Sequence, residues 1–237
     1  MNIVITMGGL GSRFKKAGYT IPKYEIEVNS KSLFEWSLLS LKSFWNERFI
    51  FIVREEDNAK DFIKRNCDKM KLKYHIIEID YLTSGQAESA LLAESEWIEN
   101  DALLIYNIDT YVEPGCINKE AIQGDGWIPC FHAEGDHWSF VKIDKEGKAV
   151  EVREKKRISD NCSLGAYYFK SAKIFKELYL DFYKDKNNIE NNERYIAPMY
   201  NYMIKNGYDI YIQNIDTANV HVLGTPEEVA AFNKNHI

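Results

Sequence analysis

The octapeptide MGGLGSRF, Met7 to Phe14, follows the apolar run NIVIT directly and gathers three glycines (Gly8, Gly9 and Gly11), a hydroxyl (Ser12) and a cation (Arg13) at one strand end. Glycines in that position let the backbone turn sharply and aim several N–H groups at an anion, for which phosphate is the natural guest. The charge distribution agrees: residues 1–24 carry Arg13, Lys15, Lys16 and Lys23 and no acidic residue, within a chain of formal net charge −6. The dinucleotide pattern GxGxxG fails because Phe14 stands where its third glycine belongs, and no Walker A pattern occurs. The glycines alone leave a tight strand-to-helix turn and a phosphate cradle evenly matched. Phosphoryl-type transfer also calls for a carboxylate that holds a hard cation. Asp109, after the apolar run in LLIYNIDTYV, stands ready for that, with a turn cap as the competing reading.

Such residues need a scaffold that gathers strand ends. Over the first half, the strand-length runs NIVIT, RFIFIV, LKYHIIEI and ALLIYNI alternate with the helical segments SLFEWSLLSLKSF, DNAKDFIKRNC and GQAESALLAESEW. In the first helix Leu33, Trp36, Leu38, Leu41 and Phe44 fall near one stripe, and Ser32 with Glu35 has the spacing of a capping box. This alternation predicts a parallel sheet covered on both faces, whose carboxyl edge carries both the glycine loop and Asp109. The second half changes character: GWIPCFHA, WSFVKID, AVEVRE and SLGAYYF are short strands with no helices between them, which predicts an antiparallel or mixed extension. Two helical segments follow, SAKIFKELYLDFY and ERYIAPMYNYMIK, the second interrupted by Pro198; between them KDKNNIENNE is a long polar loop. A strand, YDIYIQNI, leads to a terminal helix with Thr225 as N-cap, Pro226 in its first position and Glu228 closing a capping box. One domain over 1–237 is expected, with a nucleotide-binding half at 1–113 and an acceptor-binding half at 114–237.

The whole stretch MGGLGSRFKKAGYTIPK resembles the signature of the nucleotidyltransferases that activate sugar phosphates: glycine loop, hydroxyl residue, arginine, then Pro-Lys with the lysine ten positions beyond the arginine. The resemblance implies an α/β fold of Rossmann-like GT-A type, a mixed sheet with helices on both faces and a small antiparallel substrate-side extension. It implies that Gly8, Gly9, Leu10, Gly11 and Ser12 wrap a triphosphate, that Arg13 meets the departing pyrophosphate, and that Lys23 meets the phosphates nearer the reacting centre. It implies Mg²⁺ on Asp109. The family's usual late aspartate has no clear counterpart, since Val222 and Leu223 precede Gly224, so Asp216 is the first choice for a second ligand with His221 behind it. The loop LTSGQAES is expected to face the base through Ser84, Gly85 and Gln86; Thr83 and Gln86 equally fit a helix cap. In EVREKKRISDNCSLGAYYF the resemblance places acceptor binding on Glu154 and Lys155, where a solvated charge run is the competing reading.

The spelling MGG with SRF is closest to the branch found with bacterial capsule and surface-polysaccharide genes, which implies a cytidylyltransferase akin to the type that activates phosphoglutamine; uridine, thymidine and guanosine nucleotides stay open. The partners implied are a nucleoside triphosphate and a phosphorylated small-molecule acceptor. Two rivals stand beside this reading: a glycosyltransferase of the related fold, with NID in the place of its DxD motif, and a nucleotide-sensing domain without turnover.

Composition narrows the field further. The 237 residues are 45% apolar and 14% aromatic, enough for a sizeable core, and the acidic balance argues against nucleic-acid or membrane-surface partners. Cys67, Cys116, Cys130 and Cys162 are scattered without a CxxC pair, so neither a zinc site nor a disulfide framework is indicated. With no apolar run near the roughly 20 residues of a membrane span and no signal-like N-terminus, a cytoplasmic setting is expected. His132 and His137 read as surface histidines of a hairpin. A homodimer, the commonest soluble assembly, is the default.

Overall fold

The structure, a computed structural model, describes residues 1–235. Its strands in chain order are β1 (Asn2–Thr6), β2 (Glu27–Val28), β3 (Lys31–Ser32), β4 (Arg48–Arg54), β5 (Lys73–Ile79), β6 (Leu103–Asn107) and β7 (Thr110–Val112), followed by β8 (Gly126–His132), β9 (Ser139–Ile143), β10 (Ala149–Glu154), β11 (Asn161–Ser163), β12 (Ala166–Phe169), β13 (Ile210–Asn214) and β14 (Val220–Val222). The helices are α1 (Ser12–Lys16), α2 (Leu33–Ser40), α3 (Lys60–Met70), α4 (Gln86–Leu91), α5 (Ala172–Phe182), α6 (Met199–Lys205) and α7 (Pro226–Asn235).

Strands β5, β4, β1 and β6 lie side by side and parallel; β4, β1 and β6 are the near-continuous apolar runs of a sheet buried on both faces, while β5, at the edge, is mostly part-buried. The sheet then continues through antiparallel β12 to β8, β11, β9 and β10, while β13 pairs with β8 in parallel. This is the expected α/β arrangement of a mixed sheet with an antiparallel extension. β11 and β12 are two pieces of one run broken at Leu164 and Gly165, and Gly165 takes the left-handed backbone (φ +84°) that glycine adopts freely.

One face of the sheet buries Phe34 and Leu38 of α2 and Ile63 of α3; the other buries Ala90 of α4, Phe175 of α5 and Met203 of α6. A third cluster, Phe14, Trp36, Tyr111, Leu223, Val229 and Phe232, locks α7 against α1 and α2. Helix α2 departs from the single stripe its sequence suggests: Phe34 and Leu38 face the sheet while Leu33 and Trp36 face α7, because the helix is wedged between two cores. Its capping box forms in full, Ser32 and Glu35 exchanging both bonds, a cap worth about 1 kcal/mol. In the segment ERYIAPMYNYMIK the helix begins only at Met199; the residues before it form a strap through Arg194 that turns at Ala197 and Pro198.

Candidate active site

The chain enters the site at the end of β1. Gly11 adopts φ +61°, ψ 30° and opens α1, whose Phe14 is buried beneath it; Gly8 and Gly9 keep negative-φ backbone, so only Gly11 needs the freedom of glycine for its conformation. Beside this loop lies a cleft of about 1130 Å³ along the carboxyl edge of the parallel strands. Gly8, Gly9, Leu10, Ser12, Arg13 and Lys23 line it, together with Ser84, Gly85 and Gln86 of the loop before α4, Asp109 after β6, and Glu154 at the end of β10. Gly11 faces a smaller hollow of about 240 Å³ on the other side of the loop, shared with Gly9, Leu10 and Lys23. Residues far apart in sequence thus meet because their strands end at one edge.

At the centre, Lys23 Nζ donates to Asp109 Oδ2 at 2.6 Å. Burial pushes the Asp109 carboxyl upward, but Lys23, a backbone N–H and Arg13 more than offset it, leaving its pKa below the ordinary carboxylate value. Asp109 is therefore an anion across the neutral range, pinned among cations. Among the described residues no group of three or more His, Cys, Asp or Glu is gathered, so any metal here relies on one or two carboxylates together with ligand oxygens, the manner in which Mg²⁺ is commonly held.

At the start of α4, Gln86 Nε2 donates to Asn107 Oδ1 and to Thr6 Oγ1, the latter at 3.3 Å. The Asn107 carboxamide in turn lies against Gly165, where a Cβ would overlap it. The loop is held from above by the strap: Arg194 N–H donates to Ser84 O at 2.6 Å, Ala87 N–H donates to Arg194 O at 3.0 Å, and a Cβ on Gly85 would sit 2.7 Å from the Arg194 backbone. Gly85 is thus a close-approach glycine. The Thr83–Gln86 cap is not formed; Thr83 Oγ1 bonds with Ser89 Oγ, and Glu88 takes the Ser84 N–H and hydroxyl instead.

At the end of β10 Glu154 receives the Ser139 hydroxyl, which also meets the Tyr167 hydroxyl. Burial raises the Glu154 pKa, and Glu190 and Glu193 add to that, against Ser139 and Lys155 pulling it down. Lys155 itself stands outside the cleft wall, its Nζ donating at 2.7 Å to the hydroxyl of Tyr195, which does line the cleft.

Asp216 is elsewhere. It is exposed, its carboxylate accepts the Ala218 N–H at 3.0 Å and so caps the short turn Thr217–Asn219, and it does not line the cleft with Asp109. The reason is local: in NIDTAN the carboxylate satisfies its own turn rather than reaching across the sheet edge. His221 is turned aside as well, stacked on Tyr111 and 3.6 Å from Glu113. His137, taken for a surface residue, is exposed at the cleft mouth beside Trp138. Sequence reasoning also missed the strap residues Asn191, Asn192 and Glu193, hidden in a low-information polar run, and Glu228, whose place three residues after Thr225 has a sufficient explanation as a cap.

No family model matches the sequence. A nucleoside-diphosphate-sugar pyrophosphorylase from Vibrio cholerae RC9 is similar over 98% of this chain and 99% of that one, with 33% identity and a TM-score of 0.92. A D-glycero-alpha-D-manno-heptose 1-phosphate guanylyltransferase of Campylobacter jejuni is 24% identical over 185 residues, 76% of this chain and 80% of that protein. The inositol-1-phosphate CTP transferase of T. maritima shares the fold, with a TM-score of 0.79 at 14% identity over 100% of this chain and 97% of that one.

Proposed function

Because this chain belongs to the nucleoside-diphosphate-sugar pyrophosphorylase family and is a nucleotidyltransferase of the pyrophosphorylase type, we propose that it transfers a nucleoside monophosphate from CTP to a phosphorylated small-molecule acceptor, with release of pyrophosphate. The observation that carries this reading is the convergence of the glycine loop, Arg13, the Lys23–Asp109 pair and Glu154 on one cleft. An acceptor phosphate is already an anion near neutral pH, so no general base is needed; an acceptor oxygen attacks the α-phosphorus in line and pyrophosphate leaves. Arg13 and the loop backbone meet the leaving group, and Lys23 steadies the reacting phosphate. Mg²⁺ held by Asp109 would supply charge neutralisation between the phosphates. The rate enhancement then comes from positioning and electrostatics.

Gln86 supports a base with an exocyclic amino group, as cytosine, guanine and adenine have, over uracil or thymine. Gln86 lines the cleft, and with its Nε2 committed to Asn107 and Thr6 the side chain keeps Oε1 as its acceptor. That oxygen complements an exocyclic amino group and faces the O4 carbonyl of uracil or thymine unfavourably. Cytosine carries such an amino group. GTP is the second reading, favoured by the guanylyltransferase relative. The acceptor end, with Glu154 and Glu193 facing the cleft, suits an acceptor rich in hydroxyl or amino donors, a description that covers sugar 1-phosphates and phosphoglutamine-like capsule precursors. A glycosyltransferase reading is disfavoured because Asn107, in the first place of its metal motif, is neutral and bonded to Gln86.

Pyrophosphate release with Mg²⁺ and a panel of phosphorylated acceptors, run with CTP, GTP, UTP, dTTP and ATP, tests this reading. CTP is expected to be turned over at least about 10-fold more efficiently than UTP or dTTP, the effect of roughly one hydrogen bond matched or mismatched. Preference for UTP or dTTP would overturn the Gln86 reading, and release of a nucleoside diphosphate from a nucleotide sugar would overturn the transfer itself.

A further inference from the structure

We propose that Glu228 supplies the second carboxylate for the divalent cation of this cleft, facing Asp109, in the role that Asp216 does not fill; the inference rests on the nucleotidyl-transfer reading above. Glu228 lies in the first turn of α7 and lines the cleft, and its Oε2 is buried with no hydrogen-bond partner among the described residues. A carboxylate oxygen taken out of water without a donor is costly, so its retention there calls for a positive guest.

The helix does not need this carboxylate. Thr225 Oγ1 already accepts the Glu228 N–H at 3.2 Å, and the return bond that would close a capping box is not made, which corrects the sequence expectation for TPEE. The freed carboxylate points instead toward the floor of the cleft. Asp109 Oδ2, which also accepts Lys23 Nζ, and Glu228 Oε2 both lie 3.5 Å from the place a Cβ on Gly224 would take, with Arg13 Nη1 at 3.8 Å. A Cβ there would stand in ordinary contact with both carboxylates, and glycine leaves that space free.

The setting is also rigid. Val229 and Phe232, on the turns that follow, are buried against Phe14 and Trp36, so α7 is anchored to the helix that carries Arg13. Among the described residues four acidic ones line the cleft. Glu154 and Glu193 belong to its acceptor side, which leaves Asp109 and Glu228 as the carboxylate pair beside the glycine loop. Two carboxylates and the oxygens of a bound phosphate form a donor set of hard oxygens suited to Mg²⁺ or Mn²⁺.

Binding of Mn²⁺ alone to the full chain, followed by loss of the free-ion EPR signal, tests this without turnover. Wild type is expected to take up one Mn²⁺ per chain, Glu228→Gln and Asp109→Asn each to weaken binding by about 10-fold or more, and Asp216→Asn to leave it unchanged. Glu228→Gln keeps the shape of the side chain, and a cooperative melt without metal verifies that it folds. Should it not fold, Glu228→Asp, which withdraws the carboxylate by one methylene, takes its place with the same expected weakening. At a fixed Mn²⁺ concentration the melting temperature of wild type should also rise by more than that of the Glu228 variant. Unchanged binding in the Glu228 variant with loss in Asp109→Asn overturns the role of Glu228 and leaves the Asp109 site standing. Wild-type protein that binds no Mn²⁺, or binding that neither substitution weakens, overturns the carboxylate pair altogether. Pyrophosphate release by wild type reads the transfer reaction separately from all of these outcomes.

Discussion

Replacing Asp109 by Asn is expected to lower kcat by about 100-fold or more while leaving the fold intact, the scale of loss seen when one preorganised electrostatic group is removed from a reacting centre. The substitution is nearly isosteric, so the wall of the cleft is preserved. What disappears is a negative charge that the protein keeps ionised against burial by surrounding it with Lys23, a backbone donor and Arg13. A neutral amide in place of the Asp109 carboxylate leaves Lys23 without its 2.6 Å ion-pair partner, and the cation then has no fixed address from which to meet a phosphate. Steady-state kinetics together with a thermal melt check the prediction. A melting temperature within a few degrees of wild type combined with near-normal turnover would remove Asp109 from the mechanism.

Lys23→Ala is expected to cost a comparable factor, with an additional signature in pH. Burial already favours the neutral Asp109 carboxyl, and Lys23 is the strongest influence opposing it. In wild type, where the folded pKa is depressed, the stabilisation from this carboxylate is present above the ordinary carboxylate pKa and is lost as pH falls through the depressed value. Without Lys23 the folded pKa rises, so the acid limb of the kcat/KM profile should move to higher pH in the variant. A limb that stays in place would mean that Asp109 is not the group whose ionisation governs the reaction. The double variant is expected to lose little beyond the worse single one, because the two side chains act as a unit.

Much of this site was legible from residue types and spacing, and the reason is topological. When parallel strands are recognisable as apolar runs, the residues that follow each strand must share one edge, so residue order alone brings the glycine loop, the base loop and Asp109 together. Glu154 was legible for a different reason, through a motif resemblance rather than a pattern of burial. Asp216 misled because an acidic residue after a strand satisfies a turn as readily as it binds a cation, and here the nearby Ala218 N–H claims it. Glu228 was hidden by the converse: its spacing from Thr225 explained it as a cap, and only the unmade return bond reveals an idle carboxylate. The two-sided burial of α2 was not legible either, because one face of that helix is covered by α7, at the far end of the chain. The strap through Arg194 lies in a polar stretch with no periodicity, and its role depends on backbone bonds to Ser84 and Ala87 that side-chain identity does not encode.

The claim that the glycine loop and Arg13 hold a triphosphate underlies everything else, and calorimetric titration of CTP with Mg²⁺ into wild type and Arg13→Ala tests it most directly. The account predicts saturable one-to-one binding by wild type, weakened about 10-fold or more in Arg13→Ala, where a charge-assisted contact to the terminal phosphates is lost. Equal affinity in both proteins, or a wild type that ignores every nucleoside triphosphate while binding a nucleotide sugar, would contradict it.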